Sequence, residues 1–176
     1  MNRFLIPLGA FVLLAIVLAV GLKHSPEKGI IASPLIGKPA PAFTTTLLND
    51  TSAKFDSAEF KGHWTLFNVW GTWCFACRDE HQALLDIAKR KEVRMVGLDW
   101  KDEDPTATQW LQDQGGNPFD VIATDHDGRI AVDWGVYGAP ETFLVNPQGV
   151  IVHKYVGALT MEAWEREFLP RINAKS

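Results

Sequence analysis

The only two cysteines of the chain sit in Trp73-Cys74-Phe75-Ala76-Cys77, just after the apolar run WTLFNVW at 64–70. A short β-rich apolar run of this kind fits a strand buried on both faces. From Cys74 the period changes. Cys77, His81, Leu84, Leu85 and Ala88 fall on one helix face, the spacing of an amphipathic helix. The C-x-x-C pair therefore marks a strand-to-helix junction, and the basic cluster Lys89-Arg90-Lys91 suits that helix's C-terminus.

The rest of the domain continues the alternation. VRMVGL at 93–98 reads as the next strand, and Asp104-Pro105 as a helix start with Asp as N-cap and Pro at the first helical position. A short strand is expected at 120–123 and a turn with a short helix at 125–135. ETFLV at 141–145 and VIVHKYV at 150–156 flank Asn146-Pro147-Gln148-Gly149 and form a hairpin. Thr160 caps a last helix with Ala163, Trp164, Phe168 and Leu169 on its apolar face. Residues 42–48 and Phe55 suggest an N-terminal β extension. Alternating strands and helices imply a parallel sheet covered by helices, and the hairpin adds antiparallel strands. The expected fold is α/β, a mixed central sheet flanked by helices.

FLIPLGAFVLLAIVLAVGL at 4–22 carries no charge, and about 20 apolar residues are needed to span a bilayer. It reads as an uncleaved transmembrane signal anchor; a cleaved signal peptide usually has a shorter apolar region, of about 7–15 residues. Residues 23–38 read as a Pro- and Gly-containing tether, and 39–176 as the exported domain. The formal net charge is −4, but from Pro39 onward thirteen basic residues face twenty acidic ones. Such a domain is a poor partner for nucleic acid. Seven Trp and ten Phe supply a core without help from a disulfide.

At a helix N-terminus, free N–H groups and a partial positive charge favour a cysteine thiolate. Cys77 lies one turn later on the same side, so the pair can shuttle between dithiol and disulfide. Cys74, nearer the helix tip, is the attacking sulfur and Cys77 the resolving one. Structural zinc needs four ligands, and only His81 lies near; His63, His126 and His153 are scattered. Arg78 after Cys77 removes the C-x-x-C-H haem-attachment signature. A four-residue loop removes little chain entropy, so a purely structural disulfide is weakly motivated.

NVWGTWCFACRDEH at 68–81 and GVYGAPETFLVNPQGVI at 135–151, with the anchor, resemble the thioredoxin superfamily. Within it they resemble the cytochrome c biogenesis thiol:disulfide interchange family called DsbE or CcmG. The resemblance implies a thioredoxin-like domain on the periplasmic side of a bacterial inner membrane, acting as a dithiol reductant. Its implied partners are apocytochrome c or haem-ligation components and a membrane electron donor of the DsbD or CcdA type. The redox-active Cys74–Cys77 disulfide serves in place of any cofactor, and a monomer is expected. Pro140 matches the family's cis-proline, where substrate backbone docks beside Ala139. Glu80 and Glu141 match acidic residues near the redox pair, where a carboxylate can raise a thiol pKa or relay its proton. Asn68 stands where thioredoxin carries a buried Asp. Trp73 forms a wall of the site. Phe75 replaces the family's usual proline between the cysteines and places a large apolar side chain beside the reactive sulfur. His81 reads as structural. Two alternatives stay open: a general oxidoreductase of another exported pathway, and a non-catalytic metal-binding module using the C-x-x-C.

Overall fold

Strand β3 (Thr65–Trp70) is buried at every position, as a run apolar on both faces requires. A computed structural model describes residues 5–23 and 33–174. Helix α1 (Leu5–Lys23) forms one unit by itself. Leu8, Phe11, Leu13 and Val17 on it are exposed. Its side chains are described at 7–18 and at Val20, and among the described residues no helix is long and apolar enough to cross a membrane. The anchor expected at 4–22 thus coincides with a helix, while spanning is not a described feature. The tether expected at 23–38 falls largely on 24–32, outside the described residues.

The second unit is built on a seven-stranded sheet in the order β2-β1-β5-β4-β3-β6-β7. β1 (Thr44–Leu47) and β2 (Asp50–Asp56) form the expected N-terminal extension as an antiparallel hairpin. β3, β4 (Arg94–Trp100) and β5 (Val121–Asp125) run parallel. β6 (Glu141–Val145) and β7 (Ile151–Val156) are the expected hairpin, with β6 antiparallel to β3. Asn146 Oδ1 fixes its turn by accepting the N–H groups of Gln148 and Val150.

Side chains alternate across the sheet, and two cores result. Leu66, Trp70, Met95 and Leu144 pack with Leu84 and Ile87 of α2 (Phe75–Arg90), Trp110 of α3 (Asp104–Asp113), and Trp164 and Phe168 near the C-terminus. Phe67, Val69, Leu98, Phe143 and Val145 pack on the opposite face with Phe55, Phe60, Ala131 of α4 (Arg129–Asp133) and Trp134.

Two local expectations are corrected. Asp104 is the first residue of α3 rather than its N-cap, which is Glu103 and makes no side-chain capping bond. The Asp104 carboxylate instead accepts the Asn49 N–H and pairs with His126. The last helix does begin at Thr160, whose hydroxyl accepts the Ala163 N–H at 3.1 Å. It is not uniform: α5 (Met161–Ala163) passes into a π-helical stretch, Trp164–Phe168, before α6 (Leu169–Asn173).

Candidate active site

Cys74 is the N-cap of α2, with extended backbone, and its Sγ accepts the Cys77 N–H at 3.0 Å. N-caps ordinarily use a side-chain oxygen for this donor; here sulfur takes the place. The two cysteines are joined as a disulfide with their Cα atoms 5.3 Å apart. Cys74 is 5% exposed and Cys77 1%. In the reduced pair, the same N–H and the positive end of α2 favour a thiolate on Cys74.

The rim is apolar and open. Phe75 is 80% exposed and Trp73 51%. The Arg78 guanidinium lies 5.3 Å from the Phe75 ring centroid. The Trp73 indole N–H donates to the Trp100 carbonyl at 3.0 Å, and its ring meets the Trp100 ring edge-on. Thr72 donates both its backbone N–H and its hydroxyl to the Asp102 carboxylate. The loop before Cys74 is thus moored to the β4–α3 connection. Gly71 is required by this approach: a Cβ there would lie 2.6 Å from Trp73 Nε1 and 3.1 Å from the Trp100 carbonyl oxygen.

Beneath the pair lies a sealed polar cluster. Glu80, one turn after Cys77 on α2, is 1% exposed. It accepts Asn68 Nδ2 at 2.9 Å and the Leu159 N–H at 2.8 Å. Asn68 Nδ2 also donates to Thr142 Oγ1. Burial pushes the Glu80 carboxyl up to about 7, against these hydrogen bonds, which favour its charged form. Asp99, beside Trp70 in the β3–β4 register, is also buried, and neither of its oxygens has a hydrogen-bond partner among the described residues. Burial, and then the charges of Asp102 and Asp104, raise it to about 7.

The Ala139–Pro140 peptide bond is cis. Pro140 precedes β6, whose Glu141 pairs with Val69 near the end of β3, so it stands at the sheet end from which Cys74 emerges. Ala139 packs against the cluster that contains both cysteines.

Glu141, expected beside the cysteines, does not join them. Thr142 is bonded through Asn68 to the α2 side, so its neighbour Glu141 points to the opposite face with Phe143 and Val145. There it is fully buried, with Oε2 2.8 Å from Lys154 Nζ. Lys154 has no counterpart in the sequence reading; its one signal is a lone lysine inside the β-rich run VIVHKYV. His81 is structural, its Nε2 2.9 Å from the Gly116 carbonyl oxygen and its ring edge-on to Trp110. Among the described residues, no group of three or more His, Cys, Asp or Glu is placed to hold a metal ion.

Residues 35–167 match the Redoxin family. The fold is also that of a secreted Mycobacterium tuberculosis disulfide oxidoreductase homologous to E. coli DsbE. The likeness has a TM-score of 0.62 at 23% identity and covers 76% of this chain and 96% of that one. On such a sheet, a C-x-x-C disulfide at the tip of α2 defines a thioredoxin-like thiol:disulfide oxidoreductase. The chain is 45% identical over 169 residues to the thiol:disulfide interchange protein DsbE of Allochromatium vinosum, covering 96% of this chain and 92% of the relative. It is 41% identical over 166 residues to DsbE of Pseudomonas aeruginosa, covering 94% and 90%. The chain belongs to the DsbE family of thiol:disulfide interchange proteins.

Proposed function

We propose that this oxidoreductase is a monomeric dithiol reductant of cytochrome c maturation, anchored in a bacterial inner membrane with its domain in the periplasm. It would keep the C-x-x-C-H thiols of apocytochrome c reduced for haem attachment. The observation that carries the chemistry is Cys74 Sγ at the helix tip, receiving the Cys77 N–H. The identity to DsbE relatives supports thiol:disulfide interchange, and the family resemblance of 68–81 and 135–151 extends the reading to cytochrome c maturation. Anchoring is supported by the sequence alone, through the charge-free apolar stretch at 4–22, close to the roughly 20 apolar residues that a span needs.

In this reading the Cys74 thiolate attacks one sulfur of a substrate disulfide. The substrate's other sulfur leaves as a thiolate and takes a proton. Cys77 gives its proton to Glu80, whose pKa of about 7 suits the transfer. The Cys77 thiolate then attacks Cys74 Sγ, freeing the substrate's second thiol and closing the Cys74–Cys77 disulfide. Two electrons from a membrane donor of the DsbD or CcdA type restore the dithiol. Trp73, Phe75, Ala139 and Pro140 form the surface on which substrate backbone lies.

The test is trapping. With Cys77→Ala in the full anchored chain, mixed disulfides at Cys74 persist and can be identified. Capture of apocytochrome c, a haem-ligation component or the membrane donor is expected. Capture of many unrelated exported proteins would overturn the cytochrome c reading and leave a general oxidoreductase.

A further inference from the structure

We infer that the buried Glu141–Lys154 pair positions the backbone lip Gly135–Pro140 for polypeptide substrates, and that Lys154 is thereby a specificity-determining residue. The pair reaches the lip at two points. Lys154 Nζ donates to the Gly135 carbonyl at 2.9 Å, and Glu141 Oε1 accepts the Tyr137 N–H at 3.2 Å. The two charges meet at 2.8 Å with side chains 3% and 0% exposed. Lys154 Nζ also lies 4.7 Å from the Tyr137 ring centroid and 5.2 Å from that of Phe143. A third tie holds the far end of the lip, where the Pro140 carbonyl accepts the Gly157 N–H at 2.9 Å.

Between these ties, Gly138 and Ala139 form no backbone–backbone hydrogen bond among the described residues. They are the stretch of lip nearest the cysteine cluster, against which Ala139 packs. Free main-chain groups held in a fixed line can pair with an extended polypeptide. A small disulfide has no main chain to offer and needs only Cys74. The pair lies on the sheet face away from the cysteines, so it acts on the lip and not on the sulfurs. The alternative is that the pair serves only general stability, in which case its loss would slow every disulfide alike.

The inference rests on thiol:disulfide exchange and is independent of the cytochrome c reading, so trapping and the following test fail separately. Pre-reduced full-length protein is mixed, in single turnovers, with insulin as a disulfide-bonded polypeptide and with bis(2-hydroxyethyl) disulfide as a small one. For Lys154→Met, the half-saturating insulin concentration should rise about tenfold while the maximal rate constant holds, the scale of one lost hydrogen bond to the lip. The ratio of insulin rate to small-disulfide rate at low substrate should fall by the same factor. Removing one partner of a buried pair can unfold a protein, whereas removing both charges is tolerated better. Glu141→Gln/Lys154→Met therefore carries the same ratio test if the single variant unfolds. An unchanged ratio in a folded variant overturns the inference. So does an equal slowing of both substrates with a shifted pH profile for Cys74, which would place the pair's action at the sulfurs.

Discussion

The Asn68 side-chain amide donates to Glu80 Oε1 at 2.9 Å, and both residues are sealed from solvent beneath the cysteines. An amide can support this carboxyl in either protonation state, so burial dominates and lifts Glu80 from 4.5 to about 7. A carboxyl whose folded pKa exceeds its unfolded one binds its proton more tightly in the folded state. Its contribution is therefore whole below about pH 4.5 and is lost as pH rises towards 7, on the order of 3 kcal/mol across the window. Glu80→Gln should flatten part of the fall in stability between pH 4.5 and 7, read by urea unfolding across that range. Asp99, raised in the same direction, keeps a slope of its own in the variant. An unaltered profile in Glu80→Gln would show that Glu80 is not the buried acid described.

Gly71→Ala tests the mooring of the active-site loop. The new methyl would press on the Trp73 indole at 2.6 Å and the Trp100 carbonyl at 3.1 Å. Backbone yields less readily than a side chain, so Trp73 should move and lose its 3.0 Å bond to Trp100. Overpacking of this kind costs roughly 1–3 kcal/mol. Chemical unfolding should register that loss, together with a red-shifted tryptophan emission as Trp73 leaves Trp100. Unchanged emission and stability would mean the loop has slack that the distances deny.

Phe75→Pro should leave the fold intact. Phe75 is the first residue of α2 and is 80% exposed, and the first helical position is where proline fits best. The Cys74 sulfur is bonded by the Cys77 N–H, not by that of Phe75, so no donor to the sulfur is removed. Stability should hold or rise by about 0.4–1 kcal/mol through a stiffer unfolded chain. A lowered melting temperature in the oxidised protein would show that the Phe75 ring, with Arg78 beside it, packs more than its exposure suggests.

Much of this arrangement is legible in the sequence, because it rests on periodicity. The change from a continuous apolar run at 64–70 to a helical face at Cys77, His81 and Leu84 places the cysteines at the junction found between β3 and α2. The basic cluster marks the helix end, observed at Arg90 with Lys91 in the left-handed region. The cis bond before Pro140 is legible only through family resemblance, since nothing local in Ala139-Pro140 distinguishes cis from trans. Glu141 defeats sequence reading for another reason. Adjacent strand residues point to opposite faces, so one position separates Thr142, bonded to the α2 side, from Glu141, paired with Lys154. That pairing joins residues thirteen apart across a hairpin, and only the β6–β7 register, with Lys154 opposite Phe143, brings them together. The π-helical stretch at Trp164–Phe168 likewise leaves no periodic signature over five residues.

Trp134 offers a control on the far side of the sheet. It is fully buried, with ring centroids 4.2 Å from Phe67, 5.1 Å from Phe143, 5.8 Å from Phe60 and 6.4 Å from Phe43. It thereby joins β3 and β6 to the segments before and after the N-terminal hairpin. Trp134→Ala should cost about 3–5 kcal/mol, as for a large aromatic truncated in a packed core. The indole N–H has no partner among the described residues, so Trp134→Phe gives up less, about 1–2 kcal/mol, since no hydrogen bond is lost with the ring. Because this core lies across the sheet from the cysteines, both losses should be the same in the oxidised and reduced proteins, measured by denaturant unfolding with and without reductant. A loss confined to one redox state would mean that the two cores communicate through β3, and the sheet would then have to be treated as part of the redox site.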